Sequence, residues 1–484
     1  MMMTEHQEFD KADMAYAELK RFVDQSEAGG LRADQVERGM LKMLLDLGRE
    51  LVDVSISRCG DGDQGPTIET DEGTLNRLTE KRRRRYVSVF GEHAFWQYVY
   101  AVREGQEIKK RPVDEQLGLP AGEHSYVLQD WLERFCIKES FAEGSLSLET
   151  VLGLRIPVGT AERMNGRLAE QAESFRLMQP PPPHEEEGAL IVYANDCKGV
   201  PMRRPLQDRV RGHGQRRAKG EKANKKRMAC VGSAYSVERF VRTPNDILDE
   251  VFHQQRNQDR PDPQNKRLWA EMTFAREGEP INGKTRVFMQ QAIDLQARDP
   301  ERHKTVVCLT DGEKALRREQ QEWLPRAVGV LDIWHVIEYL WDAAYCLYSE
   351  GSDEAHRFVR DRLRLLLQGK VGYVIGYLRR LLSTAKPSKC KPIQAAVTYF
   401  QNNREYMKYD EYLAQGYPIG SGVAEGACRH VVKDRMEQTG MRWTHAGAQS
   451  MLHLRAIYLN GDWDDYLEHH IQTEQDTLYS TKAA

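Results

Sequence analysis

Three carboxylates, Asp196, Asp311 and Glu425, occupy settings from which acids can share divalent cations. Asp196 closes the apolar run ALIVYAND and Asp311 closes TVVCLTD, whereas Glu425 lies just inside a helix-like stretch opened by YPIGSGVAEGAC. Such a trio converges only if the fold brings two strand ends and a late helix together. The matching chemistry is in-line transfer of a phosphodiester, with one cation at the attacking oxygen and another at the leaving oxygen, about 4 Å apart. Carboxylates suit two Mg2+ (or Mn2+) ions whose shells are completed by water. Without metal, two carboxylates ~4 Å apart repel by about 4 kcal/mol at an effective dielectric of 20. Each acid also has an ordinary reading. Asp311 before Gly-Glu-Lys can cap the following helix, and Glu425 can pair with Arg429 at i+4.

Supporting groups surround them. Asp332 and His335 stand three apart at a helix start in DIWHVIEYLW. With no third ligand visible, capping by Asp332 and packing or hydrogen bonding by His335 fit better than direct catalysis. Arg429 and Lys433 follow Glu425 at i+4 and i+8, so on one helical face they would clamp phosphates flanking the scissile bond. Arg435, Arg442 and His445 extend that surface, and Trp443 reads as core.

The chain of 484 residues is 40% apolar and 30% charged with a formal net charge of −3, enough for two to four domains. Its local charge is far from balanced. Between Lys198 and Arg227 twelve Lys or Arg face two acids, a net +10 in 30 residues. Because this run starts two residues after Asp196, Arg216, Arg217, Lys225, Lys226 and Arg227 read as phosphate binders, with a solvated loop as the alternative. A second cluster, KRRRR, spans Lys81 to Arg85. No apolar run approaches the ~18 residues of a membrane helix. The start MMMTEHQEFDKADM lacks the apolar core of a secretory signal. Eight cysteines without a CxxC pair argue against a zinc module or a disulfide framework. The expectation is a soluble, cytoplasmic, nucleoid-associated protein with no membrane partner.

The elements that must position these groups follow from periodicity. Val36, Met40, Met43, Leu47, Leu51 and Val54 form one helical stripe, suited to packing within the monomer or to self-association. Residues 59–79 read as a polar, Gly-rich linker, and Arg85 to Arg103 as a β-hairpin around Gly-Glu. SLSLETVLGLRIPVGTAERMNGRLAEQ resembles a helix-turn-helix, its first helix ending near Gly153 and its second starting after Pro157 and exposing Thr160, Arg163, Asn165 and Arg167. QPPPPHEEEG is a linker. Strands are expected at 189–196, 227–238, 305–311 and 326–332, and helices at 284–297 and 312–324. That alternation implies a mixed sheet with helices on both faces and ligands at strand ends. Helices at 336–348, 352–367, 371–382 and 393–403 then form a block separating Asp311 from Glu425.

The strings LTDGEKAL, LDIWHVIEYLWDAA, YPIGSGVAEGACRHVVKDRMEQTGMRW and GAQSMLHLRAIYLNGDWDDY together resemble the ISKra-type insertion-sequence transposases, which are related to the ISLre-type. The likeness runs from about Asp196 to Tyr466 and more loosely back to Arg85. It implies an α/β fold with a ribonuclease H-like mixed sheet and an all-helical insertion, preceded by a helical and β-hairpin region with a helix-turn-helix-like segment. It also implies an Asp-Asp-Glu triad of Asp196, Asp311 and Glu425. Cys197 stands where the family usually has Gly. The expected organisation is a helical region and linker at 1–80 and a DNA-binding region at 81–180. A catalytic core at 185–335, a helical insertion at 336–414 and the rest of the core with a tail at 415–484 follow. The expected activity is metal-dependent strand cleavage and transfer on double-stranded DNA, at element ends and target, by a homodimer or higher oligomer. A nuclease without strand transfer, or an inactive DNA-binding relic or repressor, fits the same residues.

Overall fold

The computed structural model describes residues 8–71, 73–203, 226–253, 260–273, 282–384, 390–438 and 440–479, and only the backbone at 27, 384, 390 and 423–425. The chain divides into two compact units, residues 1–171 with 463–484, and residues 172–462. No helix among the described residues is long and apolar enough to cross a membrane.

In the first unit the apolar stripe lies on α2 (Ala33–Arg58), which packs on α1 (Asp10–Ala28). Gly39 leaves room there for the Phe22 ring, which an added Cβ would approach to 2.3 Å. Residues 59–79 are not a plain linker. TIET and GTLNR form an antiparallel pair, β1 (Thr67–Thr70) and β2 (Gly73–Arg77), with β2 also pairing the short β5 (Tyr100–Ala101). Buried Leu75 and Leu78 anchor a segment whose Gly content had suggested a loop. The expected hairpin is β3 (Arg82–Ser88) with β4 (Gly91–Gln97); it starts three residues earlier and turns before Gly91 rather than at Gly-Glu. α3 (Pro112–Leu117) and α4 (Tyr126–Cys136) lead to α5 (Phe141–Leu152), which ends at left-handed Gly153. α6 (Val158–Leu168) follows Pro157. The C-terminal helix Trp463–Tyr479 belongs to this unit, where Tyr466 donates to the Leu168 carbonyl.

The second unit begins with α7 (Ala172–Met178) and is built on one five-strand sheet. Its strands are β6 (Leu190–Pro201), β7 (Lys226–Val237), β8 (Gln264–Met272), β9 (Thr305–Thr310) and β10 (Val328–Leu331), in the spatial order β10-β9-β6-β7-β8. β6, β7 and β8 are antiparallel neighbours, whereas β9 and β10 run parallel to β6. β8 and α8 (Pro244–His253) have no counterpart in the sequence expectation. β8 is an edge strand whose outer half, Gln264 to Arg267, is polar, so apolar patterning does not mark it.

One sheet face carries Ile191, Tyr193, Cys230 and Cys308 against α9 (Gly283–Arg298) and α10 (Lys314–Trp323). The other carries Leu190, Val192, Ala194, Val307 and Leu309 into a single core with the helical block. That block comprises α11 (Ile333–Tyr345), α12 (Asp353–Leu367), α13 (Val371–Thr384), α14 (Cys390–Asn403) and α15 (Tyr409–Ala414). The chain returns through α16 (Gly422–Cys428), a π-helical turn at Arg429–Lys433, one α turn (Asp434–Met436) and α17 (His445–Asn460), which packs on β8.

Candidate active site

Apolar runs that make parallel neighbours deliver their terminal acids to one edge. β6 and β9 pair with Asn195 opposite Thr310, so Asp196 and Asp311, the residues that follow, lie side by side where that pairing ends. β6 itself runs on to Pro201 with Asp196 opposite Val231 of β7, so the strand end expected at Asp196 is not met: the antiparallel partner β7 extends the strand past the apolar run. Ala194 and Leu309, two residues earlier, both enter the core shared with the helical block. Side chains alternate along strands, so both carboxylates face that same side. Asp196 Oδ1 accepts the Cys197 amide at 2.6 Å and Asp311 Oδ1 accepts the Glu313 amide at 2.8 Å. Burial raises the pKa of Asp311; the Glu313 amide opposes this and the negative charge of Asp196 adds to it. Gly312 turns the chain there with φ +84°, and a Cβ on it would lie 2.7 Å from Asn403 Oδ1.

The helix carrying the third acid packs against β6 and β7. Cys428, three residues after Glu425, is buried, and its thiol is pushed well up by burial and then by the charge and hydrogen bond of Asp196. α16 is therefore docked at Asp196, while the Glu425 side chain lies outside the described residues. Among the described residues, no group of three His, Cys, Asp or Glu is arranged to hold a metal ion. The two described carboxylates nevertheless fit a hard divalent cation in donor chemistry, being oxygen ligands whose mutual repulsion is expressed in Asp311.

Asp332 is 1% exposed and caps α11, accepting from the Trp334 amide at 2.9 Å, from the Ser421 amide at 3.2 Å and from the Ser421 hydroxyl. The Ile333 amide donates to the Ile419 carbonyl at 2.9 Å, so the start of α11 and the segment leading into α16 are joined. His335 is half-buried; burial disfavours its charge, but Asp332, Asp196, Asp311 and Glu338 outweigh this and raise its pKa.

Three positioning groups escaped the sequence reading. Asn195 and Gln291 exchange two amide hydrogen bonds, at 3.1 and 2.9 Å, fixing the stretch of β6 that bears Asp196 to α9. Lys284, at the start of α9, pairs with Glu313 beside Asp311. The Tyr399 hydroxyl donates to the Asp311 carbonyl at 2.6 Å. Each is an ordinary polar residue of a strand or helix, distinguished only by what folding sets opposite it.

The candidate DNA-contacting residues divide. Arg216, Arg217 and Lys225 lie outside the described residues. Arg227 is exposed at the start of β7, and Lys226 beside it pairs with Glu437 at 2.6 Å. Arg429, Lys433 and Arg442 are exposed, with Arg429 3.6 Å from Asp434. The π turn interrupts the α-helical phase on which a common face for Glu425, Arg429 and Lys433 depended. Arg435 is fully buried, its guanidinium against the Trp443 ring and the Met441 sulfur, so the expectation that it meets DNA is not met. A core tryptophan next to it captured the side chain. Arg163 and Arg167 are exposed on α6, but Asn165 is 1% exposed and donates to Glu133 at 2.9 Å, because its face of α6 packs inward. Most of the KRRRR run is neutralised: Lys81, Arg82, Arg84 and Arg85 pair with Asp61, Glu104, Asp114 and Glu92 respectively.

The described geometry defines a mixed α/β protein, mostly helical, with a five-strand mixed sheet and N-terminal helices and hairpins. No protein-family model matches the chain, and no curated protein matches it.

Proposed function

We propose that this chain is a DNA transposase with a ribonuclease H-like core, cleaving and joining strands through Asp196, Asp311 and Glu425. The observation that carries the reading is the side-by-side placing of Asp196 and Asp311 where the parallel pairing of β6 and β9 ends, with the Glu425 helix docked at Asp196. The mixed five-strand sheet, with β6 to β8 antiparallel and β9 and β10 parallel to β6, supports the same reading.

Asp196, Asp311 and Glu425 would hold two Mg2+ or Mn2+ ions, which supply activation of the attacking oxygen and stabilisation of the leaving one. The chain's own residues do the rest. Asn195 and Gln291 hold the stretch of β6 that bears Asp196, and Tyr399 and Gly312 hold the turn after Asp311. Asp332 ties α11 to the strap before α16, setting where the Glu425 helix begins. Arg227, Arg429, Lys433 and Arg442 offer charge to phosphates; Arg163 and Arg167 do so from the helix-turn-helix-like pair in the first unit. Joining two DNA ends calls for at least a dimer on DNA.

The test uses DNA flanking the chain's own coding region. Metal-dependent nicking that disappears in Asp311→Asn, with covalently joined products, is expected. Nicking without joined products leaves the simple nuclease, and no nicking at all leaves the DNA-binding relic.

A further inference from the structure

Beside the strap and α16 the second unit contains a cavity of about 700 Å3 whose lining includes Trp334, Gly420, Gly426 and His430. Its wall also carries Arg242, Arg260 and Lys266. Arg242 is mostly buried and donates only to backbone, to the Phe240 carbonyl at 3.2 Å and to the Tyr417 carbonyl. No carboxylate lies within ion-pair distance of it among the described residues. Burial, and then the like charge of Arg260, lowers its pKa to about 10 against the opposing charges of Glu250 and Asp246, so at neutral pH it remains a cation. Arg260 has Glu250 at 2.7 Å, and Glu238 and Asp262 also reach the lining, so the wall as a whole is balanced, with Arg242 forming no ion pair among the described residues.

Trp334 also lines the cavity. It is half-exposed, its indole held beside the strap so closely that a Cβ on Gly420 would come within 2.9 Å of Nε1. A cavity whose lining holds both a guanidinium without an ion pair and an indole suits a ligand carrying a phosphate and a flat ring. We propose that this cavity binds a nucleoside monophosphate unit, its phosphate at Arg242 and its base against Trp334. Because the cavity adjoins α16, the natural source is an unstacked nucleotide of the DNA strand being processed; that part rests on the proposed transposase function. A free nucleotide is the other source of the same chemistry.

Equilibrium dialysis of the full chain against dAMP, inorganic phosphate and deoxyadenosine tests the assignment. dAMP is expected to bind more tightly than either half alone and to quench tryptophan fluorescence. Trp334→Ala should weaken it about five- to a hundred-fold, the worth of one base stacked on an aromatic ring. Lys266→Glu, a surface change that leaves folding intact, should weaken dAMP while sparing deoxyadenosine. Equal binding of dAMP and phosphate, or indifference to both variants, overturns the proposal. A 2-aminopurine base placed next to the cleavage position separates the sources. Fluorescence lost in wild type by contact with Trp334, and regained in Trp334→Ala, assigns the DNA strand. An unchanged probe alongside tight dAMP binding assigns a free nucleotide. The dialysis does not depend on cleavage, so binding without strand cleavage would refute the transposase function while leaving the cavity's ligand standing.

Discussion

Replacing Asp332 with alanine should cost about 2–4 kcal/mol of stability in the second unit. The capping bond to the Trp334 amide is worth about 1 kcal/mol. The Ser421 amide and hydroxyl would be left buried without their acceptor, at about 1–3 kcal/mol for an unsatisfied group. Part of this is offset, because burial already raises the pKa of Asp332 and its carboxylate is costly where it stands. Asparagine retains a capping oxygen and should cost only about 1 kcal/mol. Urea unfolding measures both variants through the shift of the midpoint at constant m. Amide exchange at 417–428 should accelerate in the alanine variant before the sheet is affected, since the strap loses its tie to α11. An alanine variant within about 0.5 kcal/mol of wild type, or an asparagine variant equally damaged, would refute the role given to this carboxylate.

Four further outcomes follow from the geometry. Arg435→Ala should destabilise the fold by about 2–4 kcal/mol through lost packing on Trp443 yet leave the salt dependence of DNA binding unchanged, whereas removing Lys433 should lower that slope by about 1; filter binding at several salt concentrations distinguishes them. With about six phosphate contacts in all, affinity should fall about a thousand-fold between 50 and 200 mM salt, and a flat profile would argue against a phosphate-binding surface. Asp294, which accepts from the Tyr193 hydroxyl at 2.7 Å, has its pKa raised by burial against the pull of Arg298. Its folded pKa lies above the unfolded one, so relative to Asp294→Asn the wild type should lose stability as pH rises from about 3.8 through that folded value and then level off, read as the difference in urea midpoint. Gly283→Ala should prevent folding of the sheet edge, because its Cβ would fall 2.0 Å from the Met272 carbonyl oxygen, measured as loss of soluble protein.

The inner strands were readable because uninterrupted apolar runs such as LIVYA and TVVCLT have to be buried on both faces. Gly153 and Pro157 marked the helix pair that includes α6, since one fits the left-handed cap and the other precedes a helix without losing a bond. What stayed hidden depended on partners far away in the chain. β8 looks polar because only its inner half is covered, and the β1–β2 pair depends on two leucines under a Gly-rich surface. At the candidate site, position at the end of an apolar run marked Asp196 and Asp311, although β6 continues past Asp196 to Pro201. Nothing local distinguished Asn195 or Lys284 from any other polar residue, nor Arg435 from its exposed neighbours.

The helical block leaves the sheet at Ile333 and returns at Ile419, and those two residues share a backbone hydrogen bond. A segment whose ends already touch behaves as a closed module: lengthening it adds only slowly growing closure entropy and does not displace its anchors. Natural or engineered changes in the size of this excursion should therefore leave the spacing of Asp196 and Asp311 intact. The permitted variation has one boundary, because the module also roofs the sheet's apolar face. Trimming must preserve that cover, or the exposed face becomes a site of self-adhesion.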